Sequence, residues 1–166
     1  MINIHPVFVG VYIMNKKVLI NDQVFKKMNE LTKKYENVEN GGLIYGRLNP
    51  RWALVEDISD AGQNAVRKPY GVSFDPEYLN DYTLRKIEEK LYVIGTWHSH
   101  PSGSSLTPSS IDKKTMLDIF KHFDHSFSPI SCIVKWENNE LSKSFFTIAP
   151  NLNLVEIPFC NITSRS

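Results

Sequence analysis

The apolar positions of this chain change period several times, and each change marks an element. After the polar pair Asn21-Asp22, the residues Val24, Met28, Leu31 and Tyr35 recur at three- and four-residue spacing, which predicts an amphipathic helix with an N-cap, ending near Glu36-Asn37. The run GGLIYGR from Gly41 and the run WALVEDIS after Pro50-Arg51 read as two strands joined by a turn. Asp75-Pro76-Glu77 supplies a capping side chain, a proline suited to the first helical position and an acid in the first turn. A second helix is expected there, with Leu79, Tyr82, Ile87 and Leu91 facing inward. LYVIGTWHSH reads as a buried strand, and Ser109-Ser110 caps a third helix with Met116, Ile119, Phe120 and Phe123 on one side. Strands around Ile130 to Trp136 and Ser144 to Ile148 complete a sheet flanked by helices, an α/β (α+β) architecture. Val7 to Met14 is expected to be the first strand, Trp97 and Tyr45 are expected in the core, and the tail from Pro150 to Ser166 carries no decisive pattern.

A length of 166 residues with 42% hydrophobic content fits one domain, residues 1–166, with a core of ordinary size. Nineteen basic residues against eighteen acidic ones leave a net charge of +1, so no broad field exists to gather nucleic acid or an anionic membrane. Val7 to Met14 is far shorter than the roughly 20 residues of a membrane span, and the opening MINIHP lacks the basic residue of a signal peptide. The expectation is a cytoplasmic protein that contacts neither nucleic acid nor membrane. Cys132 and Cys160 form no CxxC pair and are given no role; Cys132 lies in the strand-like ISCIVKW and is expected to be a small buried hydrophobe.

His98 and His100 stand two apart on a predicted strand, so both imidazoles project from one face while Trp97 and Ser99 point to the other. Pro101 keeps His100 extended and ends the strand, and Asp112 returns an oxygen from the first turn of the following helix. Two imidazoles and a carboxylate make a three-ligand zinc site with a fourth position open, the pattern of a catalytic metal. A HxH pair alone is weak evidence, since most such pairs bind nothing. The competing metal motifs are absent, however: there is no HExxH, and Ser104 stands where a cupin places its glutamate. His122 and His125 in KHFDHSF lack a third ligand in the sequence, and His5 has no assignment. Asn161-Ile162-Thr163 matches a glycosylation pattern that has meaning only on secretion.

HSHP followed by SSID, with ENGG far upstream, resembles the JAMM motif of the MPN (JAB1/Mov34) metallopeptidases, and the likeness covers roughly residues 18 to 150. The resemblance implies an MPN-type mixed sheet flanked by helices, similar to the cytidine deaminases. It implies one Zn2+ per chain on His98, His100 and Asp112, with Glu39 as general base and Ser109 stabilising the oxyanion. Glu36 competes for the role of Glu39, and Ser109 has a plainer reading as a helix N-cap. The chain is most similar to compact bacterial members, which implies hydrolysis after the C-terminal glycine of a ubiquitin-like protein or its conjugates in an anti-phage operon, with E1-like or E2-like partners. Processing of a sulfur-carrier protein and a catalytically inactive scaffold are the alternatives. One departure stands out: eleven residues, PSGSSLTPSSI, separate His100 from Asp112, where the family usually has ten. A bulge at Gly103-Ser104 is expected to absorb the extra residue.

Overall fold

Ten strands and three helices follow one another in the described residues, 16–122 and 128–162 of the computed structural model. The expected first strand at Val7 to Met14, together with His5, Phe123 and His125 and the side chains of Ile119, Phe120 and His122, lies outside what is described.

β1 (Lys17–Asn21) runs straight into α1 (Asp22–Lys34), where Asn21 Oδ1 accepts the Val24 N–H at 3.0 Å. Asp22 in the first turn and Lys33 and Lys34 in the last complement the helix dipole. The predicted hairpin is β2 (Gly41–Leu48) paired antiparallel with β3 (Trp52–Ile58). Two short strands that the sequence did not announce, β4 (Val66–Lys68) and β5 (Gly71–Ser73), form a separate hairpin. Next come α2 (Pro76–Glu88), capped by Asp75 as expected, β6 (Tyr92–Ser99) and α3 (Ser110–His122). The chain finishes with β7 (Ile130–Glu137), β8 (Glu140–Ile148), β9 (Leu154–Ile157) and β10 (Phe159–Ile162).

Eight strands form one mixed sheet in the order β10-β1-β3-β2-β6-β7-β8-β9. Its outermost strands are consecutive in the chain, separated by Pro158, whose carbonyl accepts the Val18 N–H at 2.9 Å. The sheet therefore curls until its two ends meet, and the ambiguous tail closes it: Phe159 on β10 contacts Phe145 on β8 with ring centroids 5.4 Å apart. α1 packs against β1, β3 and β7 inside the curl, burying Val24 and Met28 among Val18, Ile20, Ile44, Val55, Trp97 and Cys132. Tyr45 and Trp97 are fully buried, and Trp97 Nε1 donates to the Ser59 carbonyl at 2.8 Å, which satisfies its polar edge.

α2 lies against β2 and β6 with Leu79 and Tyr82 half-buried on the expected face, as is Leu91 just beyond it; none of its residues is fully buried, and Ile87 departs from the expectation. Asp57 on β3 accepts from Lys27 at 2.9 Å, from the Tyr82 hydroxyl at 2.6 Å and pairs with Lys86 at 2.8 Å. A partly buried carboxylate needs such partners, so α2 turns Tyr82 and Lys86 inward and leaves Ile87 46% exposed. Cys132 is buried on β7, Cys160 is exposed on β10, and both are free thiols.

Candidate metal centre

β6 is a central strand, hydrogen-bonded to β2 on one side and to β7 on the other, so whatever its end presents is rigidly held. Its alternation turns Trp97 and Ser99 inward, while His98 and His100 share the other face, as predicted. The His100 N–H donates to the Val134 carbonyl at 2.8 Å, continuing the pairing with β7 one residue beyond the strand. The loop then returns Asp112 to the histidines. His98 Nε2 stands 3.0 Å from His100 Nε2 and 3.2 Å from Asp112 Oδ1, and His100 Nε2 stands 3.6 Å from Asp112 Oδ2.

These spacings fit a metal. A tetrahedral zinc with bonds of about 2.0–2.1 Å keeps its ligand atoms about 3.3–3.4 Å apart, and the shortest distances between the three side chains straddle that value, Asp112 turning one oxygen to each histidine. The chemistry of the donor set fits as well, with two imidazole nitrogens and a carboxylate oxygen, and among the described residues this is the group able to hold an ion. The far side of His100 is fixed, for Nδ1 lies 2.7 Å from the Ser105 carbonyl. A proton on Nδ1 donated there leaves Nε2 with its lone pair directed at the centre. Burial opposes ionisation of Asp112, but the bonds from His100 and His98 outweigh it and hold the carboxyl well below the usual carboxylate range. The Asp112 bond raises the His100 pKa, against the opposing effect of burial.

Asp112 and Ser109 form a reciprocal cap at the start of α3. Ser109 N–H donates to Asp112 Oδ2 at 2.7 Å, and Asp112 N–H donates to Ser109 Oγ at 3.1 Å. The plainer reading of Ser109 is seen directly: its oxygen caps the helix, and its hydroxyl proton has no partner among the described residues. Gly103, in the segment expected to absorb the extra residue, adopts φ +86° in a turn that the Ser104 N–H closes on the Pro101 carbonyl at 3.1 Å.

Glu39 sits in the turn between α1 and β2, and its N–H donates to the Lys68 carbonyl of β4 at 2.8 Å. The glycine pair behind it is explained by contact. A Cβ on Gly41 would stand 2.4 Å from the Trp97 carbonyl and one on Gly42 2.2 Å from that of Ser59, so only glycine lets β2 approach so closely. Burial raises the Glu39 pKa, the two histidines lower it, and Asp112 raises it again, with a net upward result. The sign for stability follows directly. With a folded pKa above the ordinary 4.5, ionised Glu39 costs stability above the folded pKa, and the cost disappears below the unfolded value. Glu39→Gln is therefore expected to raise the Tm of the metal-free protein at pH 7, with the gain fading as pH falls through the folded pKa; thermal scans across pH check it.

What holds Glu39 in place was not visible in the sequence. The neighbouring Asn40 is fully buried, donates its N–H to Ser99 Oγ at 2.9 Å and accepts the Ser99 N–H at 2.8 Å, so the turn is bolted to the residue between the two histidines. Its side-chain amide donates to Asp60 at 2.9 Å and accepts from Arg67 Nε at 2.8 Å. Arg67 also pairs with Asp60 at 3.1 Å, bonds the Gly62 carbonyl at 3.2 Å and lies 4.0 Å over the Tyr35 ring. Arg67→Met strands Asp60 and Asn40 together. A loss of roughly 2–3 kcal/mol is expected, read as a lowered urea midpoint at constant m-value.

Two clefts meet at this centre. One, of about 360 Å³, runs between the β4–β5 hairpin and α3 and is lined by Val72, Phe74, Thr96 and Met116. The other, of about 460 Å³, runs under the loop at Pro101, Ser104 and Thr107. Glu39, Tyr70, Ser109 and Ile111 line both, and Tyr70 is 88% exposed at the hairpin tip.

Residues 21–149 match the profile of the prokaryotic homologues of the JAB domain. The chain belongs to that family. The match takes in Glu39, the HSHP strand and Asp112, and the mixed sheet with three helices is the JAB/MPN fold. This JAB domain is 27% identical over 112 residues to a Sinorhizobium fredii protein named "Probable metalloprotease y4qB", covering 65% of this chain and 68% of the relative. It is 27% identical over 103 residues to a "CD-NTase/cGAS isopeptidase" of Escherichia coli, covering 59% of this chain and 65% of that protein, just under two thirds of its length. The solution structure of protein DSY2949 from Desulfitobacterium hafniense shares the fold with a TM-score of 0.70 at 18% identity, over 89% of this chain and 94% of the other. The family implies a metal ion, and His98, His100 and Asp112 are the site able to hold it. Among the described residues no helix is long and apolar enough to cross a membrane.

Proposed function

We propose that this JAB domain is a zinc-dependent isopeptidase that cleaves after the C-terminal glycine of a ubiquitin-like protein or its conjugates. One observation carries the reading: three ligand side chains converge, with polar atoms 3.0 to 3.6 Å apart, where two clefts meet beside Glu39 and Ser109. In this reading His98, His100 and Asp112 hold one zinc per chain. When bound, zinc supplies Lewis acidity, polarising the scissile carbonyl and making water acidic enough to react at neutral pH.

Glu39 takes the proton of the attacking water and returns it to the leaving amine. Its raised pKa suits both steps, since a base close to the working pH takes and gives a proton with the smallest penalty. The Ser109 hydroxyl, with its oxygen already committed to the helix cap, donates its proton to the carbonyl oxygen as that atom gathers charge. The two clefts hold the chain on either side of the scissile bond. We further propose that residues 1–166 act as one domain in the cytoplasm and that the substrate belongs to a bacterial anti-phage system with E1-like or E2-like operon partners. The name of the Escherichia coli relative, a CD-NTase/cGAS isopeptidase, supports an isopeptide-linked conjugate as the substrate.

The test is incubation of the zinc-bound full chain with a ubiquitin-like protein fused through its terminal glycine to a leaving peptide. Mass spectrometry is expected to show a single cut after that glycine, abolished by chelator. A cut elsewhere, or one that chelator leaves intact, would contradict the proposal.

A further inference from the structure

The eleven residues between His100 and Asp112 are rich in Pro, Ser and Gly, yet the ligands at their two ends meet with Nε2 and Oδ2 3.6 Å apart. Such a loop has many conformations, and Gly103 at φ +86° carries the entropy cost of its own freedom. Something must select the one arrangement in which the Ser105 carbonyl faces His100 Nδ1.

The end of β7 does so. Lys135 and Glu137 are two apart on that strand and so share a face. Lys135 Nζ donates to the Ser104 carbonyl at 2.9 Å, and Glu137 Oε1 accepts the Gly103 N–H at 2.9 Å. The two side chains are joined to each other, with Nζ 3.0 Å from Glu137 Oε2. The bonds fall on Gly103 and Ser104, immediately before the carbonyl that orients His100.

We propose that Lys135 and Glu137 clamp the loop in the register needed for metal binding, which makes them positioning residues of the metal centre; this rests on the metal reading above. Neither touches a ligand atom. They act through Gly103, Ser104 and the Ser105 carbonyl on the orientation of His100. Loss of either bond frees the Gly103-Ser104 turn, and the centre must then order the loop at the moment the metal binds. Partners outside the ligand shell are typically worth about 10- to 100-fold in metal affinity.

The experiment is a competition titration of the purified full chain against a chromophoric zinc chelator, alongside the Tm of the metal-free protein. Lys135→Met and Glu137→Ala are each expected to weaken zinc binding by about tenfold with an unchanged metal-free Tm, and Lys135→Arg, which keeps the donor, to restore binding to within about twofold. Both variants binding zinc as tightly as the wild type would overturn the clamp and leave the metal site standing. A wild type that takes up no zinc would overturn the metal reading and the clamp with it.

Discussion

Glu39→Gln is expected to lower kcat by about a thousandfold while zinc affinity stays within a few-fold of the wild type. The side chains are nearly the same size, so the turn between α1 and β2 keeps its anchors: the Glu39 N–H on Lys68 and the Asn40 bonds to Ser99 are all made by other atoms. What disappears is the carboxylate that accepts and returns a proton. A positioned general base contributes about 10²–10⁴ in rate, and an amide can do neither half of its work. Glu36, its competitor in the sequence, is exposed and lines neither cleft, so Glu36→Gln is expected to leave kcat unchanged. Steady-state kinetics on the glycine-terminated fusion, with zinc content measured on the same samples, separates loss of the base from loss of the metal.

Asp112→Asn is expected to remove zinc binding at micromolar metal while α3 stays formed. Asp112 does two things: it presents a charged oxygen to His98 and His100, and it accepts the Ser109 N–H. Asparagine keeps one acceptor for the cap and gives up the negative charge, which is what a divalent cation held with two neutral imidazoles requires. Asp112→Ala loses both, so comparing the two variants divides the metal role from the structural one. Elemental analysis reports the metal, and circular dichroism reports the helix; the cap itself is worth about 1 kcal/mol.

The candidate site was legible because metal chemistry fixes both the residue types and their spacing: two histidines on one strand face and an acid at a helix start are a local pattern. The hairpin after Glu39 and the three capped helices were legible because their signals are local too. What stayed hidden is set by contacts distant in sequence. Asn40 gains its meaning from Ser99, 59 residues on, and from Arg67, 27 residues on. The strands β4 and β5 have three residues each, too few to show an alternation. In the tail, Pro158 reads as a breaker, yet it lets one segment pair with β8 before it and β1 after it. Ile87 follows the helical period but lies exposed where its neighbour Lys86 is drawn in by Asp57, on another element.

The central claim, that His98, His100 and Asp112 hold a catalytic zinc beside Glu39, is tested most directly by titrating metal-free protein with zinc and following cleavage of the glycine-terminated fusion. Activity is expected to rise from zero and to break at one equivalent per chain, with Asp112→Asn flat throughout. Cleavage by the metal-free protein, or a titration that Asp112→Asn reproduces, would contradict it.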